Sequence, residues 1–256
     1  MDDFVNTNDR KRYYLLDGIR GICILGMIIY HTLFDIVFFF GFPVSENVMI
    51  AVDIVRDFGA CCFIALAGIC THFGKRPLKR FLMIFGASTV VSIVTMIVLP
   101  SAPVIFGVLN FMWIASLIIM PLKRLFDKLP AILCCIVCLL LFLLTFEVHD
   151  GYLGYYGIEV TALPEVLYSN YFTALLGFPF IGFSSSDYYP LLPWIFMFFF
   201  GYFLWNAISE KKLIQKILGF RTGFLEKIGK VSLYIYIAHQ PVVMGLLLVI
   251  TSLFFR

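Results

Sequence analysis

The stretch YLLDGIRGICILGMIIYHTLFDIVFFF, residues 14–40, decides the fold class. A helix needs about 20 mostly apolar residues to cross the hydrocarbon core of a bilayer, and this stretch is longer than that. The chain has 256 residues, of which 61% are hydrophobic and 14% charged, whereas soluble domains average about 45–50% and about 25%. Six further apolar stretches follow at 49–73, 81–99, 105–122, 130–147, 189–207 and 231–253. The sequence therefore predicts an all-α fold, a polytopic membrane helix bundle with about seven transmembrane helices.

One further apolar segment, NYFTALLGFPFIGF at 170–183, is short and is interrupted by Gly177 and Pro179. Such a segment is typical of a re-entrant or interfacial element. The longest polar gaps, at 148–169 and 208–230, are too short to fold alone. We therefore expect one integral membrane domain over residues 1–256.

The basic residues lie on alternate sides of this helix map. They are Arg10, Lys11 and Arg12; Lys75, Arg76, Lys79 and Arg80; Lys123, Arg124 and Lys128; and Lys211, Lys212, Lys216, Arg221, Lys227 and Lys230. The intervening gaps hold acidic residues and no lysine or arginine. Because cytoplasmic loops are enriched in positive charge, this pattern predicts a multi-pass protein of the plasma (cytoplasmic) membrane with a cytoplasmic N-terminus. The net charge of +3 reflects these loops and does not indicate a nucleic-acid partner.

All seven cysteines lie within predicted spans, so disulfides are not expected. Cys134, Cys135 and Cys138 have a spacing that metal sites also use, but no histidine or carboxylate lies near them in sequence. They are interpreted as small packing residues, and no metal is predicted.

Several ionisable residues lie inside the spans, where an unpaired charge costs several kcal/mol. They are Asp17, Arg20, His31 and Asp35 in the first span, Asp53, Arg56 and Asp57 in the second, and His239 in the last. Their spacing puts each set on one face of its helix, because residues three, four and eleven apart share a side. We expect the two polar faces to meet. One alternative is that the Asp–Arg pairs are structural salt bridges that lock helices together.

The rise of about 1.5 Å per residue gives expected depths. His31 and Asp57 are both expected about 12–14 Å below the outer surface. His239 is expected about 12 Å from the inner surface, at a level similar to that of Arg20. These polar groups would form a row across the membrane, with gaps between them.

Five blocks carry a family resemblance: YLLDGIRGICILGMIIYHTLFD (14–35), FIALAGIC (63–70), FGVLNF (106–111), DYYPLLPWIFMFFFGY (187–202) and GKVSLYIYIAHQPV (229–242). They resemble, in the same order, the bacterial family related to the catalytic domain of heparan-α-glucosaminide N-acetyltransferase, in the transmembrane acyltransferase superfamily. The spacing from Arg20 to His31 is also similar to that in bacterial membrane O-acyltransferases. The chain departs from the lysosomal enzyme after the first helix, where that enzyme has a histidine and this chain has GFPVSENVMIAV (41–52).

The resemblance implies transfer of an acyl group, expected to be acetyl, from cytoplasmic acetyl-CoA (acyl-CoA) as co-substrate. The acceptor would be a hydroxyl or amine of an extracytoplasmic glycan or other small molecule. His31 would be the general base or a transient acyl carrier, Asp57 would orient it, and His239 would be a second base or thioester anchor. The implied coenzyme A-binding residues are Arg20, Arg56, Lys75 and Arg76, and the implied acceptor-binding residues are Asp35, Asp187, Tyr188 and Trp194. Family analogy also allows a homodimer.

Two other functions use the same residues. A proton-coupled transporter or flippase of a small or lipid-linked solute would use the buried carboxylates and histidines as a proton relay. A structural or assembly protein would use the buried charges only to hold helices together.

Overall fold

The computed structural model describes residues 13–73 and 76–254, and its architecture is a helix bundle with one small hairpin. The helices are α1 (Tyr14–Phe38), α2 (Glu46–Cys70), α3 (Pro77–Val98), α4 (Val108–Phe126), α5 (Ala131–Leu144), α6 (Tyr171–Leu176), α7 (Leu191–Ile208), α8 (Lys212–Leu218), α9 (Phe224–Lys230) and α10 (Ser232–Phe254). Strands β1 (Tyr152–Tyr155) and β2 (Ile158–Ala162) pair antiparallel after α5. The predicted all-α membrane fold is confirmed.

Each of the seven predicted spans contains a helix. Among the described residues, five helices are long and apolar enough to cross a membrane: α1, α3, α4, α7 and α10. The 25-residue α2 has the length, but it carries Asp53, Arg56 and Asp57 in its middle. The 14-residue α5 is apolar but short, with a length of about 21 Å at the α-helical rise.

The segment predicted as re-entrant or interfacial contains only α6, which has six residues. Asn170 caps its first turn by accepting hydrogen bonds from the backbone N–H groups of Phe172 and Thr173. It ends at Gly177, whose φ of 129° is one that residues with a side chain rarely adopt. A helix of this length, about 9 Å, is too short to span a bilayer.

The chain divides into two compact units, which are described separately. The first comprises Met1–Gly59 and Ile208–Arg256, and the second comprises Ala60–Ala207. The boundary falls inside α2. The expectation of a single domain over residues 1–256 stays a prediction.

In the first unit, α9 packs directly on the first two turns of α1. A Cβ atom on Gly229 would lie 1.8 Å from the carbonyl oxygen of Asp17, and one on Gly21 would lie 2.2 Å from that of Leu225. The backbones of the two helices therefore touch, because small residues allow helices to approach this closely. The helix α10 follows α9 after one residue, and it runs alongside the second half of α1.

A buried carboxylate in α9 forms an ion cluster with two basic residues. Glu226 is 2% exposed, and it accepts two hydrogen bonds from Arg221 and one from Lys230. The guanidinium of Arg221 lies 4.2 Å from the ring centroid of Tyr14, at the start of α1. This cation–π contact joins the ion cluster to α1.

The Glu226 cluster predicts loss of stability in acid. Burial raises the pKa of Glu226, but the hydrogen bonds from Arg221 and Lys230 lower it by more, so the pKa lies below its ordinary value of 4.5. A carboxyl whose pKa is lowered by folding stabilises the protein above its ordinary pKa, and that contribution is lost as the pH falls through the folded pKa. We expect Glu226→Gln to lower the unfolding temperature at pH 7 and to flatten its decline below pH 4.5. Thermal unfolding in detergent at a series of pH values measures both effects.

The control for this prediction is Glu210→Gln, because Glu210 is exposed just before α8. This variant should unfold like the wild type at every pH. If Glu226→Gln keeps the acid dependence of the wild type, the cluster does not contribute in the way described.

In the second unit, the C-terminal half of α2 packs against α7 by the same kind of contact. A Cβ atom on Gly68 would lie 2.0 Å from the carbonyl oxygen of Phe198, and one on Gly201 would lie 1.9 Å from that of Ala65. Aromatic side chains fill the space around this crossing, and Tyr202 is completely buried. The helices α3 and α4 also pack together in this unit.

Candidate functional site

Two histidines meet inside the first unit. The ring centroids of His31, on α1, and His239, on α10, lie 5.0 Å apart with an angle of 56° between the rings. His239 is buried, and its Nδ1 lies within hydrogen-bonding distance of the carbonyl oxygen of Tyr236. A carbonyl oxygen can only accept a hydrogen bond, so Nδ1 of neutral His239 carries the proton and Nε2 holds the lone pair. This tautomer presents a basic nitrogen.

His239 was expected at the level of Arg20. Its ring instead lies beside that of His31, eleven residues further along α1. The reason is the position of α9, which occupies the level of the first two turns of α1. Because α10 begins only after α9, His239 lies near the start of its own helix and still reaches the level of His31. His31 is seven residues before the end of α1 at Phe38, or about 10 Å.

One turn further along α1, a buried carboxylate binds the residue next to His239. Asp35 has no exposed surface, and Nε2 of Gln240 donates to its two carboxylate oxygens at 2.9 and 3.0 Å. These hydrogen bonds are needed because burying a carboxylate without a hydrogen-bond donor raises the free energy of the folded state. Asp35 was predicted to bind the acceptor, and its structural partner is Gln240. The contact ties α1 to α10 beside the histidine pair.

Arg56 binds the two other charged residues in the middle of α2. Its Nε donates to Asp57 at 2.8 Å, and one terminal nitrogen donates to Asp53 at 2.8 Å and to the hydroxyl of Tyr30 at 3.0 Å. Tyr30 is the neighbour of His31 on α1, and the centroids of their rings lie 5.5 Å apart. The carboxylate of Asp57, predicted to orient His31, is thus bound by Arg56.

The polar face of α1 does not meet α2 in the way expected. Arg20 donates to the carboxylate of Asp17 at 3.1 Å and to the carbonyl oxygen of Gly229 at 3.4 Å. Together with the contacts of His31 and Asp35, this directs the face toward α9 and α10. The charges of α2 contact α1 through Tyr30.

Of the other residues predicted to bind coenzyme A, Arg76 is exposed just before α3. Lys75 lies outside the described residues, as do Arg10, Lys11, Arg12 and Arg256. The coenzyme A-binding role of Lys75 and Arg76 stays a prediction.

Three predicted acceptor-binding residues belong to the second unit and have structural partners there. Asp187 accepts a hydrogen bond from the backbone N–H of Val108 at 3.1 Å, which caps the start of α4. The hydroxyl of Tyr188 donates to the carbonyl oxygen of Ala174, and burial raises its pKa above the ordinary value. Trp194 is buried in α7. Their roles toward an acceptor stay predictions.

Two polar groups were not singled out from the sequence. His72, two residues after the end of α2, stacks on the ring of Tyr202 with 4.3 Å between centroids. It lies at the end of the predicted span 49–73, and its partner is 130 positions away in sequence, so no local pattern pointed to it. Glu147, His149 and Asp150 follow α5, and their possible ligand atoms lie within 4.8 Å of one another. Exposed acidic groups often lie together without a metal, so the spacing alone does not make a metal site.

A family model described as "Heparan-alpha-glucosaminide N-acetyltransferase, catalytic" matches residues 12–241. The match runs from the start of α1 to the residues just after His239, so it includes both histidines of the pair. No curated protein and no solved structure matches the chain.

Proposed function

Because the chain belongs to the family of the heparan-alpha-glucosaminide N-acetyltransferase catalytic domain, we propose that it moves an acetyl group across the bilayer. The donor is acyl-CoA on the cytoplasmic side, and the acceptor is a hydroxyl or amine of an extracytoplasmic glycan-type molecule. The family supports a transmembrane acetyltransferase in general. The proposal adds the donor, the acceptor class and the residues.

The contact between His31 and His239 carries the proposal. Transfer from a thioester requires a group that removes the proton of the acceptor, and imidazole performs this near neutral pH. The ring centroids of the two imidazoles lie 5.0 Å apart, so either ring could accept the proton.

In the proposed reaction, one imidazole accepts the proton from the acceptor hydroxyl or amine. The acceptor oxygen or nitrogen bonds to the acyl carbon, the carbon–sulfur bond breaks, and the released sulfur of coenzyme A takes up a proton. The lone pair on Nε2 of His239 favours this residue as the base, with His31 as its partner. The alternative in which a histidine carries the acyl group transiently uses the same pair.

The surrounding contacts suit a supporting role for the other residues. Arg56 hydrogen-bonds two carboxylates and the hydroxyl of Tyr30. It is proposed to contribute to coenzyme A binding on the α2 side of His31. Arg20, Lys75 and Arg76 are proposed to bind the phosphates of coenzyme A on the cytoplasmic side. Asp187, Tyr188 and Trp194 are proposed for the acceptor side. We further propose a location in the plasma membrane with a cytoplasmic N-terminus and a single functional domain, 1–256.

The proposal is tested by following thiol release from acetyl-CoA with the purified protein in nanodiscs. We expect slow release with acetyl-CoA alone and faster release with glucosamine as a probe amine, together with an acetylated product detected by mass spectrometry. No binding of acetyl-CoA at millimolar concentration would count against the proposal. Uptake of a solute by proteoliposomes under a pH gradient, without acetylated product, would favour the transporter instead.

A further inference from the structure

The segment that contains α8 and the start of α9 exposes four large apolar side chains. Leu213, Ile217, Phe220 and Phe224 are 67%, 47%, 66% and 72% exposed. Leu213 and Ile217 lie one turn apart on α8, Phe220 follows the end of α8, and Phe224 is the first residue of α9. Four exposed large apolar side chains within twelve residues need a cover, because water solvates such a patch poorly.

Positive charge borders these side chains. Residues 211–230 contain six basic residues and a single acidic one, Glu226. Glu226 is buried and bound by Arg221 and Lys230, so it does not offset the charge at the surface. Lys211, Lys212 and Lys216 are exposed beside Leu213 and Ile217. The combination of apolar side chains and flanking lysines is typical of helices that lie in a membrane interface.

The segment packs on the first two turns of α1, where Gly18 faces Thr222 and Gly21 faces Leu225. One residue separates α9 from α10. Both α1 and α10 are long and apolar enough to cross the membrane. Gly18 and Gly21 lie four and seven residues into α1, or about 6–10 Å along its axis from its first residue. Interfacial helices bury their apolar faces by about 5–10 Å.

We propose that residues 211–224 form a docking surface for the anionic phospholipid surface of the bilayer in which the protein sits. The side chains of Leu213, Ile217, Phe220 and Phe224 enter the acyl boundary. Lys211, Lys212 and Lys216 bind headgroup phosphates. Docking keeps α8 at the membrane surface and thereby stabilises the packing of α9 on α1. The proposal does not depend on the acyltransferase reaction.

The experiment titrates the purified protein in detergent with phosphatidylglycerol or phosphatidylcholine and counts bound lipids by native mass spectrometry. The wild type is expected to bind phosphatidylglycerol more tightly than phosphatidylcholine. Each lysine near an anionic surface contributes about fivefold, so Lys211→Gln/Lys212→Gln/Lys216→Gln should weaken phosphatidylglycerol binding at least about tenfold. Equal binding of the two lipids by the wild type, or no loss in the triple variant, would overturn the proposal.

Two matched variants separate the surface from general effects of charge and folding. The variant Lys79→Gln/Arg124→Gln/Lys128→Gln removes the same charge from exposed positions at the start of α3, at the end of α4 and just after α4. It should bind phosphatidylglycerol like the wild type. The variant Lys211→Arg/Lys212→Arg/Lys216→Arg keeps the charge and should also keep binding. A loss of equal size in the first of these would show general attraction to cations and would overturn the assignment to α8.

The apolar half of the proposal has its own measurement. Phe220→Trp is placed in vesicles of phosphatidylcholine and phosphatidylglycerol whose acyl chains are brominated, and its fluorescence is corrected for the native tryptophans with the wild type. We expect quenching of the added tryptophan, since bromine quenches on contact. An unquenched tryptophan would place Phe220 in water and would overturn the proposed insertion.

Discussion

Replacing His239 with alanine is expected to lower the rate of acetyl transfer by at least about 100-fold, because a positioned general base contributes about 10²–10⁴ to such a reaction. The basic lone pair on Nε2 of His239 would be lost, and the neighbouring imidazole of His31 would lose the ring 5.0 Å away. We expect His31→Ala to cause a loss of similar size. Thiol release from acetyl-CoA in nanodiscs, with glucosamine as acceptor, measures both.

His149→Ala is the matched control, because His149 is a half-exposed histidine outside the pair, beside Glu147 and Asp150. It should retain the wild-type rate. The double variant His31→Ala/His239→Ala should be little slower than either single variant, since residues that act as a unit are not additive. Full activity in either single variant, in protein that unfolds at the wild-type temperature, would rule out the histidine pair as the base.

The second large effect concerns folding of the second unit. Gly68→Ala and Gly201→Ala are each expected to destabilise the protein by more than about 3 kcal/mol, since overpacking a rigid core costs about 1–3 kcal/mol even when side chains can move. Here the added Cβ atoms would lie 2.0 and 1.9 Å from backbone oxygens of the facing helix. Those oxygens move only if α2 and α7 separate. Retention of a monodisperse peak in size-exclusion chromatography after heating measures the loss.

Gly86→Ala and Gly245→Ala serve as controls on long apolar helices. Nothing lies within 4 Å of the Cβ position at either glycine. Replacement of a mid-helix glycine by alanine there should be neutral or stabilising, by about 0.5–1 kcal/mol. If Gly68→Ala is as stable as Gly86→Ala, the close crossing of α2 and α7 is not needed for the fold.

The helices could be predicted from the sequence because hydrophobic length is a local property. Each predicted span contains a helix, since a bilayer demands a continuous apolar stretch of known length. The Asp–Arg contacts within α1 and α2 could also be predicted, because three-residue spacing puts the partners on one helical face.

The pairing of the site could not be predicted in the same way. The level of His239 depends on where α10 begins in the membrane, and that is set by α9 packing on Gly21 and Asp17. The partner of Asp35 is likewise distant, because Gln240 lies 205 positions away. Gln240 is uncharged, and nothing in its sequence context indicated that it contacts Asp35. Spacing within one helix indicates a shared face, but it does not say which neighbour that face will meet.

The joining of α1 to α10 has a consequence for biosynthesis. The first helix enters the bilayer early, while Gln240 and His239 have not yet left the ribosome. Until the last helix is inserted, the carboxylate of Asp35 has to tolerate lipid or water without the amide that later binds it. A nascent chain that stops short of the last helix therefore contains most of the bundle but only half of the histidine pair, and the proposed chemistry would begin only with complete insertion.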